Sequence, residues 1–132
     1  MTLFSYGSLV FPEVMRAVTG RSFAHEPGRL FGWRRTRFRA RTYPGIQADA
    51  AASTPGTLWH GIDLRSAQRL DCFETSDYER RILPVRAASG AELQAHVYVV
   101  RAESLHLLSQ EPWERPRFAR ESLAGFLRGL RR

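Results

Sequence analysis

The chain has 132 residues, 43% hydrophobic and 25% charged, a balance that excludes disordered and fibrous classes and leaves room for one hydrophobic core, so residues 1–132 are expected to form a single domain. No run approaches the roughly 18–20 consecutive apolar residues of a membrane-spanning helix, so no membrane partner is expected. The formal net charge is +7, and all 20 basic residues are Arg, a uniform usage that reads as a habit of the whole chain rather than a tailored surface.

The opening segment Thr2–Tyr6 is short, apolar and aromatic and runs into Gly7-Ser8, the pattern of a buried strand ending in a tight turn. MTLFSYGSLV lacks the basic n-region and cleavage site of an export signal, and a cytoplasmic location is expected. Pro12 suits the first turn of a helix, with Val14, Met15 and Val18 at helical spacing and Gly20 as its stop. From Gly32 to Thr42, Trp33, Arg35, Arg37, Arg39 and Arg41 alternate with Arg34, Thr36, Phe38 and Ala40, which predicts a strand with one strongly basic face. Tyr43-Pro44-Gly45 is a turn signal, and the small, alanine-rich stretch from Ile46 to Pro55-Gly56 reads as a loop.

Thr57–Leu64 reads as a further strand, and Ser66 as the cap of a helix with Ala67, Leu70 and Phe73 on one face and Glu74 at or just past its end. Tyr78–Ala87 and Leu93–Val100 form an expected strand pair around Ser89-Gly90, with His96, Tyr98 and Val100 on one face and Val97 and Val99 on the other. Pro112 and Pro116 bracket Trp113, after which Leu123, Phe126, Leu127 and Leu130 mark an amphipathic helix packed on the domain. Strands and helices without regular alternation point to an α+β fold.

Four segments carry a resemblance: SYGSLV at 5–10, YPGI at 43–46, GTLW at 56–59 and LDCFETSDYERR at 70–81. Together they resemble the gamma-glutamylcyclotransferase-like family, in particular its avirulence-induced-gene-like and gamma-glutamylamine cyclotransferase branch. The resemblance implies a mixed sheet closing toward a small barrel, with a few short peripheral helices. It implies that Tyr6, Gly7, Ser8, Leu9, Val10 and Phe11, with Tyr78, bind a small gamma-glutamyl substrate, and that Glu74 is the catalytic acid/base. It also implies no cofactor and the release of 5-oxoproline together with a free amine or amino acid.

The residues themselves support part of that chemistry. Gly7 permits a close backbone turn, and successive amides after it can form an anion-binding nest beside the helix that starts at Pro12. Phe73 and Tyr78 flank Glu74, and partial burial would raise its carboxyl above the ordinary value of about 4.3 toward that of a general base and acid. Asp71 is the rival carboxylate, or a salt-bridge partner of Arg80 or Arg81. Tyr78 and Arg80 also fit ordinary strand positions, and Tyr98 fits either the site or the core. Cys72, the only cysteine, precludes an intrachain disulfide and reads as a small buried residue rather than a reactive thiol. His25, His60, His96 and His106 have no metal-ligand spacing, and no GxSxG elbow surrounds Ser8. Two other classes stand beside the enzyme: a non-catalytic metabolite-binding module on the same fold, and a nucleic-acid-binding domain using Arg34–Arg41. The solvated strand face is favoured over the latter.

Overall fold

The computed structural model describes residues 1–130. Strand β1 (Leu3–Ser5) passes through a 3-10 turn (Ser8–Val10) into helix α1 (Pro12–Thr19). Long strands β2 (His25–Phe38) and β3 (Pro44–Trp59) follow, then α2 (Leu64–Phe73), β4 (Tyr78–Ala87) and β5 (Glu92–Val100). A second 3-10 segment (Ala102–Leu107), β6 (Leu108–Pro112), α3 (Arg115–Glu121) and α4 (Leu123–Leu130) complete the chain.

The sheet order is β3-β1-β5-β4-β2-β6, and β2 also pairs with β3, so five strands close into a barrel with β6 appended to β2. All pairings are antiparallel except β1 with β5. This is the α+β, barrel-like sheet with short helices that the resemblance implied. Closure between β2 and β4 rests on two register pairs, Gly28↔Ala87 and Arg29↔Arg86.

Period-two alternation divides the strands between two cores. Phe4, Leu58, Val85, Val97 and Val99 pack in one cluster. Leu3, Trp59, Tyr98 and Val100 face the other way and pack with Val14 and Met15 of α1, Leu70 of α2 and Phe118 of α3. The expected split of β5 into two faces therefore holds. Leu123, Phe126, Leu127 and Leu130 of α4 also lie against this second cluster, each half-buried.

Several elements depart from the sequence reading. The Ile46–Gly56 stretch is strand, not loop: it is the middle of β3, paired to β2 across a register shift between Phe31 and Trp33 where Gly32 takes φ +87°. Its alanines carry little strand propensity, and the long partner strand supplies the ladder instead. Two glycines of β3 are forced by close approach. A Cβ on Gly56 would lie 2.1 Å from the Ser5 carbonyl oxygen, and one on Gly45 would lie 2.3 Å from a Val100 methyl. The strand expected over Thr57–Leu64 ends at Trp59, with Gly61 at φ +71° turning the chain. The cap of α2 is Asp63 rather than Ser66, its carboxylate accepting from the Ser66 amide at 3.2 Å and the Ser66 hydroxyl at 2.6 Å. Cys72 is exposed, because it falls on the outer face of α2.

The basic ribbon is not a free face. β2 ends at Phe38, leaving Arg39 and Arg41 in the following turn. Arg37 pairs with Glu111 at 2.9 Å, Arg34 lies 3.7 Å from Asp49, and Arg35 turns inward. Among the described residues, no helix is long and apolar enough to cross a membrane.

Candidate active site

A cavity of about 170 Å³ opens where β1 gives way to its 3-10 turn, lined by Tyr6, Gly7, Ser8 and Leu9. Glu74 and Thr75, which follow α2, form the facing wall with Phe73. Phe4 and Ser5 of β1, Tyr78 at the start of β4, Tyr98 of β5, Tyr43 and Pro44 at the entry to β3, and Phe126 of α4 complete the lining. The volume is below the roughly 300–1,000 Å³ of sites for drug-sized ligands, which suits a compact substrate fragment.

The loop is held from behind. Ser5 Oγ donates to the Leu9 carbonyl at 2.9 Å, and the Trp59 indole donates to Ser5 Oγ at 2.9 Å and to the same carbonyl at 3.1 Å. Thr57 Oγ1 donates to the Val10 carbonyl at 3.3 Å, and Arg35 Nη1 donates to the Tyr6 carbonyl at 2.9 Å. Carbonyls thus point into the fold. The Val10 and Phe11 amides close the turn onto Gly7 and Ser8. The amides of Gly7, Ser8 and Leu9 have no acceptor among the described residues, as the first amides of any helical turn require. The absence of a Cβ at Gly7 is needed for packing as well: one placed there would meet Pro44 Cδ at 2.9 Å.

Glu74 is the C-cap of α2, its amide donating to the Leu70 carbonyl at 3.0 Å while its own backbone is extended. No protein donor among the described residues bonds its carboxylate. Burial, reinforced by the neighbouring Asp71 carboxylate, raises Glu74 from 4.5 to about 8. Glu74 is half-buried and lines this cavity.

Three tyrosines fix the walls. Tyr6 donates its hydroxyl to the Tyr98 carbonyl and Tyr78 donates to the Pro44 carbonyl, both short bonds, and Tyr98 donates to Asp71 Oδ1 at 2.6 Å. Burial raises all three phenols, so they act as donors. Arg80 Nη2 holds the other Asp71 oxygen at 3.2 Å, which satisfies Asp71 and leaves Glu74 as the unpaired carboxylate.

Of the residues singled out by sequence, Tyr6, Gly7, Ser8, Leu9, Glu74 and Tyr78 meet at this cavity. Val10 and Phe11 do not line it. Both are buried in the core, Phe11 stacking on Phe118 at 5.7 Å, because the 3-10 turn rotates them away. Tyr43, Pro44, Thr75 and Phe126 join the wall without having been assigned to it. Tyr43-Pro44 lies inside the YPGI signal, whereas Phe126 is one of several apolar residues on its helix and carries no distinguishing mark.

A family model described as gamma-glutamyl cyclotransferase, AIG2-like, matches residues 3–115. The chain belongs to that family. Its relatives include AIG2-like protein C of Arabidopsis thaliana, 36% identical over 98 residues that cover 74% of this chain and 57% of that one. Protein AIG2 C of the same plant is 26% identical over 74% of this chain and 59% of its own length. The match thus spans somewhat more than half of these relatives. Among solved structures, a solution structure from Arabidopsis thaliana superposes with TM-score 0.76 at 22% identity, covering 98% of this chain and 79% of the other. A structure titled gamma-glutamyl cyclotransferase gives TM-score 0.63 at 14% identity, covering 99% and 86%. At these identities the structures establish the shared fold, and the AIG2-like family barrel is the one described above.

Proposed function

We propose that the protein is a gamma-glutamyl cyclotransferase that uses Glu74 as its proton shuttle and the Gly7–Leu9 amides as its oxyanion and carboxylate donors. The observation that carries this reading is the pairing itself: an unpaired carboxylate raised to about 8 lines the same cavity as three amides without acceptors. Membership of the gamma-glutamyl cyclotransferase, AIG2-like family points to the same class of substrate.

In the proposed reaction the alpha-ammonium of a gamma-glutamyl group passes a proton to Glu74, and the freed amine attacks its own gamma-carbonyl carbon. A new C–N bond closes the five-membered ring, and negative charge develops on the carbonyl oxygen. Collapse of that intermediate breaks the bond to the leaving nitrogen, which takes the proton from Glu74. The Glu74 carboxylate so freed takes the surplus proton of the positively charged ring nitrogen and passes it to the departing amine or to solvent. The products are 5-oxoproline and a free amine or amino acid. A carboxyl near 8 lies close to the range in which amines titrate, so proton transfer between Glu74 and an amine is not steeply uphill in either direction. Each well-aimed amide is worth about 3–4 kcal/mol of transition-state stabilisation. Ring closure joins two groups of one molecule, so the site has only to hold the near-attack conformer.

Incubation with a panel of gamma-glutamyl amino acids and amines, followed by assay for 5-oxoproline, tests the reading. Product from at least one member is expected. If folded protein binds a panel member and forms none, the protein is a binding module and the enzyme reading fails.

A further inference from the structure

On the other side of the loop lies a second cavity, of about 430 Å³, whose lining includes Arg29, Arg35, Arg86 and Arg115 and no acidic residue. None of these four guanidiniums pairs with a carboxylate among the described residues. Elsewhere among the described residues Arg21, Arg34, Arg37, Arg80, Arg101 and Arg117 pair with carboxylates, whereas Arg16, Arg39, Arg41, Arg65, Arg69, Arg81, Arg120 and Arg128 do not. What sets Arg29, Arg35, Arg86 and Arg115 apart is their convergence: β2, β4 and α3 bring all four to one concavity that holds no acid.

Each guanidinium is oriented by the fold. Arg29 donates to Ser53 Oγ at 2.9 Å. Arg86 lies over the exposed Phe31 ring at 4.7 Å, Arg115 over Phe11 at 5.2 Å and Arg35 over Trp113 at 4.9 Å. Arg35 uses only Nη1 on protein, for the Tyr6 carbonyl at 2.9 Å and the Pro55 carbonyl at 3.2 Å. Its Nε and Nη2 have no acceptor among the described residues, and these two N–H groups match a bidentate oxyanion. Burial, with Arg29 and Arg115 nearby, lowers Arg35 to about 10, so it still carries its charge at neutral pH.

The strand register adds an independent observation. Arg29 and Arg86 are partners directly across β2 and β4, where like charges repel, and they make up half of the pairing that closes the barrel. The sheet thus holds two cations opposed at one of its shortest seams. An anion seated between them converts that repulsion into two attractions.

We propose that this cavity is a binding site for a small phosphate-bearing anion, gripped by Arg29, Arg35, Arg86 and Arg115, separate from the Glu74 cavity. The test is calorimetric titration of the full chain with inorganic pyrophosphate at constant ionic strength, alongside the melting temperature. One-site binding with a raised Tm is expected. The double variant Arg29→Gln/Arg86→Gln should weaken that binding at least tenfold, while its Tm without ligand matches or exceeds that of the parent, since the opposed charges are gone. A remote double variant of equal net charge, Arg16→Gln/Arg65→Gln on the exposed faces of α1 and α2, should bind as the parent does. No binding by the folded parent, or equal weakening in both double variants, would overturn the site.

Discussion

The two cavities on either side of the Tyr6–Val10 segment hold charge in opposite ways. In the first, aromatic walls enclose one acid that has no partner, and desolvation brings that acid near 8, so at neutral pH it is mostly protonated. In the second, enclosure lowers Arg35 only to about 10, so the cation persists and donates to two carbonyls. A carboxylate shed of water takes up a proton, whereas a guanidinium starts so high that the same treatment leaves it charged. One side of the loop is therefore suited to moving protons, and the other to holding a fixed field.

Substitution at Glu74 separates the two sides most sharply. Glu74→Gln is expected to lower 5-oxoproline formation by about 10²–10⁴-fold, the usual range for a lost general acid/base, while leaving pyrophosphate binding intact. Stability gives a second readout. Glu74 binds its proton more tightly folded than unfolded, so the stability this contributes is fully present below about pH 4.5 and is lost as pH rises through about 8. The Gln variant has no such loss. Its Tm advantage over the parent should grow from near zero at pH 4.5 to several degrees at pH 8.5, as a pH series of thermal melts would measure.

Gly7→Ala comes next. Its methyl would meet Pro44 Cδ at 2.9 Å, so the loop or the Pro44 wall must shift, at about 1–3 kcal/mol by denaturant titration. Turnover should fall at least tenfold with the amides displaced. A smaller effect is expected from Asp71→Asn: removing the second cause of the raised Glu74 carboxyl moves the rising limb of the kcat/KM profile to lower pH. The acid limb of a pH–rate series reads it directly, and an unmoved limb would place the titrating group elsewhere. Smallest of all, Cys72→Ser should leave both activity and stability within about 0.5 kcal/mol of the parent, because the thiol is exposed and outside both cavities.

Much of the first cavity is legible in the sequence because its parts sit next to chain punctuation. Gly7-Ser8 ends a strand, Glu74 ends a helix, and Tyr78 begins a strand, so each motif marks the end of an element where side chains and amides are freed from the ladders. Val10 and Phe11 belong to the same motif yet serve the core, since a 3-10 turn sends successive residues to different sides and a string of letters does not show that rotation. The pattern fits Tyr98 to site and core alike, and both apply: it packs in the second core cluster and lines the cavity, while its hydroxyl donates to Asp71. The Ile46–Gly56 strand was hidden because its alanines and glycines follow partner geometry rather than intrinsic preference. The arginine cavity had no local signature at all: its four cations are contributed by β2, β4 and α3, and only the closed sheet brings them together.

That closure has a mechanical consequence. A barrel is a hoop, and this one is fastened at two short seams of two residue pairs each, the clasp between β2 and β4 and the β1–β5 pairing, while β2–β3 and β4–β5 are zipped along most of their lengths. Opening the clasp costs few backbone bonds and leaves two intact hairpins, so amide exchange at Gly28, Arg29, Arg86 and Ala87 should precede exchange in the flanking ladders. The fold then behaves less as a rigid cylinder than as a bracelet, whose two halves part at a short seam and stay whole along their long ladders.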